Sequence, residues 1–186
     1  MVKGFVNKVC FLMCFTFVLC SCFEDIDFNQ TKDFQASPVL ESSLIFFDEP
    51  ANSFLDNTTE INVIQDFLVI DFFNDEFIVD NLVKAEFEFE SINTINRAFE
   101  LQVDLFNGNQ LQHSFIIFQE ASSNNTENRT SYIENFEDNT LQALKRTNIL
   151  VFTLRILPGP PINENTLGRI ELKSLAAFYF KIGDNE

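Results

Sequence analysis

The chain has 186 residues, no tryptophan, two tyrosines, one histidine and five glycines, and its four cysteines all fall within residues 10–22. These shortages exclude several chemistries. A lone histidine, His113, cannot make a His-pair zinc site, and no cysteine beyond Cys22 can make a thiolate one. A Ser-His-Asp triad would have to use His113, and no Gly-x-Ser-x-Gly turn accompanies it. Gly108, Gly159, Gly168 and Gly183 are too scattered to form a phosphate-cradling loop. With only Tyr132 and Tyr179 beside the phenylalanines, platforms for a sugar are scarce, which argues against both a glycosidase and a carbohydrate-binding module. Cations are scarce too, 12 against 28 acids, for a formal charge of −16. That balance opposes nucleic-acid binding, which rests on Lys and Arg at phosphates. It also disfavours docking on anionic headgroups, while favouring cationic partners or divalent ions. No cofactor is expected.

What is present begins with an address. Lys3 and Lys8 precede an apolar stretch at 9–20, which ends at Ser21 and then Glu24 and Asp25. A membrane-spanning helix needs about 20 apolar residues, so this run reads as a signal peptide. Its end, Leu19-Cys20-Ser21-Cys22, resembles the lipobox of bacterial lipoproteins, with Ser21 as the small residue before the acceptor. The resemblance implies cleavage before Cys22 and lipid on Cys22, hence attachment to a membrane through that residue. Two or more acyl chains make such an anchor durable. The following Glu24, Asp25 and Asp27 resemble the surface-export signal of Bacteroidota lipoproteins, whose Phe-, Asn- and Ile-rich composition this chain shares. Together these features imply an outer-membrane lipoprotein, with the choice between surface and periplasmic face left open. Cleavage would remove Lys3 and Lys8, taking the charge to −18, and would leave no free thiol.

The expected organisation is a signal peptide at 1–21, a lipidated acidic tether at 22–37 and one domain at 38–183. A domain of that size buries about two-thirds of its unfolded surface and needs no disulfide. Residues 82–90 alternate Val83, Ala85, Phe87 and Phe89 with Lys84, Glu86, Glu88 and Glu90, the pattern of a strand with one dry face. Residues 97–106 repeat it, and Asn107-Gly108 suits a tight turn before a return strand at 111–118. Further strands are expected at 39–47, 63–73, 77–79, 148–157 and 168–182. The two-sided apolar run Phe67-Leu68-Val69-Ile70 reads as interior, and Ile116-Ile117-Phe118 as covered. Residues 122–131 read as a mobile polar loop, and Asp138 as the cap of a short helix near 138–146. The fold class is therefore all-β: an antiparallel sandwich of about eight strands, Greek-key in type, with the phenylalanines in its core.

Candidate sites are few. His113 alternates with Leu111 and Phe115 and reads as a packed, hydrogen-bonded residue. Asp71, Asp75, Glu76 and Asp80 form one acidic group, and Glu134, Glu137 and Asp138 another; oxygen clusters can hold calcium, but neither has the Asp-x-Asp-x-Asp-Gly spacing. The stiff loop Pro158-Gly159-Pro160-Pro161-Ile162 reads as a rigid connector, and as a candidate for partner recognition. The leading functional expectation is non-enzymatic: a lipid-anchored envelope protein that binds a protein partner or supports an assembly. The alternatives are a module for a small ligand, glycan or calcium, and a hydrolase using Asp and Glu.

Overall fold

A computed structural model describes residues 35–183, so the signal peptide, Cys22 and the acidic tract lie outside the described residues. Two antiparallel sheets pack face to face. The first runs from β1 (Val39–Ser42) and β2 (Phe46–Pro50), which share one edge, through β11 (Arg169–Phe180) and β6 (Leu82–Asn93) to β9 (Asn128–Phe136). The second runs β5 (Val63–Val69), β10 (Ile149–Ile156), β7 (Phe99–Asn107), β8 (Gln110–Gln119). A small hairpin, β3 (Leu55–Asp56) with β4 (Thr59–Glu60), sits apart. From β5 onward every connection except the β7–β8 hairpin passes from one sheet to the other, an interleaved, Greek-key-like path. The all-β sandwich expected from periodicity is thus the fold.

The core forms where the alternating faces meet. Phe87 and Phe89 of β6, Leu101, Val103 and Leu105 of β7, Phe115 and Ile117 of β8, and Leu172 of β11 are all buried. Phe89 meets Phe115 across the two sheets at 5.7 Å between ring centroids. Each such side chain contributes about 1.5–3 kcal/mol when fully buried. Val83 does not join them. The register slips between Tyr179 and Phe180, Leu82 takes the inward place opposite Phe180, and Val83 turns out to solvent. The β7–β8 turn closes over Gly108 and Asn109, with Gly108 at φ 58° where a side chain would be strained.

Several local expectations are corrected. Residues 39–47 are two strands: the edge breaks at Ile45, where the Ser174 hydroxyl donates to the Ile45 carbonyl and accepts from its N–H. Residues 77–79 belong to helix α1 (Glu76–Asn81), opened by the Asp75 carboxylate accepting from Phe77 N–H. Helix α2 (Asp138–Lys145) is capped by Glu137, whose N–H donates to Thr140 Oγ1, and Asp138 is its first helical residue. Strand β9 takes in the last four residues, 128–131, of the stretch read as a loop. Its inward positions include Thr130, Tyr132 and Glu134, so hydropathy alternation does not announce it.

The loops at one end are locked by a buried cation. Arg97, 5% exposed, lies between β6 and β7 and forms a two-pronged pair with Glu60 of β4 at 3.0 and 2.8 Å. It also donates to the carbonyls of Leu157 at 2.9 Å and Pro160 at 2.6 Å, and Glu60 accepts from Ile162 N–H. The proline loop is therefore fastened from beneath, with Ile162 buried and Pro158–Pro161 facing solvent. It serves as the rigid connector between β10 and β11.

Candidate functional site

The two long sides of the sandwich differ. On one, the edge strands β8 and β9 meet. His113 Nε2 lies 2.7 Å from Glu134 Oε1, and the Tyr132 hydroxyl donates to Glu134 Oε2 at 2.5 Å. Tyr132 stacks on Phe115 with rings 5.6 Å apart and 14° between planes, and the His113 ring packs edge-on against Phe136. Burial and the Glu134 carboxylate push the Tyr132 phenol up to about 12. His113 is thus the packed, hydrogen-bonded residue expected. This side is closed by an inward carboxylate with partners on both oxygens.

The other side is open. There β1 and β2 of the first sheet face β5 of the second. In register, Leu40 lies opposite the buried Phe178, and Ile64 opposite Leu154, so both point inward. Yet Leu40 is 47% and Ile64 39% exposed. Inward residues that remain wet mean that the sheets do not close here. Two clefts run along the gap, of about 360 Å³ beside Leu40, Leu68 and Phe72, and about 330 Å³ beside Phe47, Ile64 and Phe152. Glu41 and Asp71 line the first and Glu49 and Asp66 the second, while among the described residues no Lys or Arg lines either.

Strand β5 is the exposed lip of this groove. Phe67 is 67% exposed and Val69 57%, so the run read as interior is an uncovered edge. Ile116 and Phe118 of β8, read as covered, are exposed as well. An apolar strand open on both faces gives the same sequence signal as a buried one.

The acidic candidates do not gather. Asp71 flanks the first cleft, Asp75 caps α1, and Glu76 and Asp80 lie along that helix. Glu134 serves His113 and Tyr132, whereas Glu137 pairs with Lys84 at 3.3 Å. Among the described residues no three His, Cys, Asp or Glu side chains converge on a point where a metal could sit. Nor, among the described residues, is any helix long and apolar enough to cross a membrane. The groove was not legible beforehand, because its lining comes from strands scattered between residues 40 and 178 and none carries a motif.

Fold and groove define a class: an antiparallel β-sandwich with one sealed and one gaping long side. No protein-family model matches the chain, and no curated protein matches it. Among solved structures it is similar to dimeric latent PorU from Porphyromonas gingivalis, at 10% identity and a TM-score of 0.33. The likeness covers 80% of this chain and 13% of that one, too distant to carry over an activity.

Proposed function

We propose that this is a lipid-anchored cell-envelope protein that holds a protein partner along the open side of its sandwich, without catalysing a reaction. The observation that carries the reading is the groove, where residues of inward register stay wet beside an apolar edge strand. The lipobox-like Leu19-Cys20-Ser21-Cys22 supports the anchor, and the acidic Glu24, Asp25 and Asp27 support export to the outer face of the outer membrane.

The test is photo-crosslinking in intact cells with a reactive residue at Ile64 in the groove or at Ile133 on the sealed side. A discrete adduct from position 64, absent from position 133, supports the proposal. Equal adducts from both, or none from either, would overturn it. A second reading draws on cleft size, since about 300 Å³ is the lower limit of small-molecule sites. An apolar small ligand would raise the melting temperature of the isolated protein without any protein adduct.

A further inference from the structure

We infer that β5 is a receptor edge, to which an extended strand of the partner adds by backbone pairing, and that this strand alternates apolar residues with Lys or Arg. The inference rests on the proposed partner-binding role and names how the partner is recognised.

The backbone phase decides which groups are free. Asn62 and Ile70 flank β5, and both exchange hydrogen bonds with the β10 side: Ile156 N–H donates to the Asn62 carbonyl and Ile70 N–H to that of Asn148. In an antiparallel pair the hydrogen-bonded and free positions alternate. Ile64, Asp66 and Leu68 therefore bond to β10, and the N–H and C=O groups of Val63, Gln65, Phe67 and Val69 point away from it. No strand pairs on that side among the described residues. Among the described residues only the Phe67 N–H is taken, by the Asp66 carboxylate at 2.8 Å, and three amides and four carbonyls in that row have no partner.

Edge strands are ordinarily blunted by proline, by lysine, by a bulge or by brevity. β5 has none of these four and carries a single inward charge, the exposed Asp66: seven residues, no proline, no cation, and a register against β10 without a slip. A strand added here would turn alternate side chains into the gap, against Ile64, Leu68, Leu40 and Phe47. The exposed carboxylates of Glu41, Glu49, Asp66 and Asp71, unopposed by any Lys or Arg among the described residues of the cleft linings, select a cationic strand over an acidic one.

The probes are three soluble heptapeptides, with the mature chain as receptor. One alternates Ile and Lys, one alternates Ile and Glu, and one is the Ile/Lys peptide N-methylated at every second residue, which keeps the charge but cannot pair on that edge. The Ile/Lys peptide should bind, slow the amide exchange of Val63, Gln65 and Val69, and bind at least about tenfold more tightly than its N-methylated twin, since several backbone bonds are lost together. The Ile/Glu peptide should not bind measurably. As a check on place, Gln65→Pro removes an outward N–H on an edge strand, where proline is tolerated. It should abolish the difference between the two Ile/Lys peptides while far-UV circular dichroism stays unchanged. Equal binding of the two peptides would mean electrostatic adsorption and would overturn strand addition. Protection of the same amides in the receptor alone, concentration-dependent or not, would mean that a second copy or the chain's own tether holds the edge, and would also overturn it. In either case an adduct at position 64 in cells would leave the partner-binding reading standing.

Discussion

Glu60→Gln isolates the electrostatic lock that Arg97 makes with β4 and the β10–β11 loop. The substitution is nearly isosteric and preserves an acceptor for Ile162 N–H, so what it removes is the charge opposite a guanidinium that is only 5% exposed. Breaking one partner of a buried pair costs about 3–5 kcal/mol. The Glu60 side chain keeps 20% of its surface in water, which lowers the expectation to about 2–4 kcal/mol. With no tryptophan in the chain, unfolding is best followed by far-UV circular dichroism in urea. At a slope of about 2 kcal/mol per molar, the midpoint should fall by about 1–2 M. The double variant Arg97→Met with Glu60→Leu removes both charges and should cost less than the sum of the singles, because it leaves no unpaired buried charge, although the Leu157 and Pro160 carbonyls and the Ile162 N–H lose their partners. A loss below about 0.5 kcal/mol for Glu60→Gln, or strict additivity in the double variant, would refute the account of Arg97 as a lock.

The same pair sets an acid limb. Burial raises the Glu60 carboxyl, but the Ile162 amide and the Arg97 guanidinium outweigh it and hold the group below its ordinary value. A depressed carboxyl contributes stability that is present above the unfolded value, about 4.3–4.5, and lost as pH falls through the folded one. The gap between wild type and Glu60→Gln should therefore be full near neutrality and narrow progressively as pH falls below the unfolded carboxyl value. A gap that stays constant down to pH 3 would mean that the charge is not what Glu60 supplies.

Three further outcomes are expected. Gly168→Ala should destabilise by about 2 kcal/mol or more, since φ is +106° and the added Cβ would stand 2.4 Å from the Thr94 carbonyl; thermal unfolding reads it directly. Tyr132→Phe should remove an alkaline limb: a phenol raised to about 12 contributes about 1–2 kcal/mol below its unfolded value near 10, lost as pH rises through 12, so wild type and variant should converge above that pH. Cys22→Ala should move the protein from the membrane to the soluble fraction on cell fractionation, and a variant that stays with the membrane would remove the lipid-anchor reading.

The layered fold was legible where alternation was strict. Residues 84–90 carry charge on every second position and residues 99–105 alternate apolar with charged or amide side chains, and both lie in long central strands. Legibility fails where tertiary partners replace hydropathy. β9 turns Glu134 inward, which looks like loop chemistry until His113 and Tyr132 are seen to hold it. Phe77-Ile78-Val79 carries strand-like side chains, and only the Asp75 cap marks a helix. Arg97 sits among Asn and Ile in a short loop, and nothing local reveals that Glu60, 37 residues earlier, waits for it. The groove is the extreme case, for an apolar run such as Val63–Val69 is the same string whether a sheet covers it or not.

The contrast between the two long sides separates an open edge from a merely imperfect sandwich. Where β8 and β9 meet, the chain places a carboxylate inward and satisfies both oxygens, a device that seals the gap and discourages a foreign strand. The inward carboxylate of β5, Asp66, instead faces solvent and bonds to its own neighbour's amide. The same sequence therefore seals one side with an inward, doubly held carboxylate and leaves the other with a lone exposed one, over seven residues with apolar side chains on both faces. An uncovered strand of that kind is an aggregation liability in isolation. If nothing occupied it, the substitution Phe67→Lys should improve solubility at no cost in stability, because Phe67 is two-thirds exposed and surface changes fall within about 0.5 kcal/mol. If a partner occupies it, the same substitution should keep the melting temperature and lose the adduct formed at position 64. Loss of stability would mean instead that Phe67 packs against part of this chain.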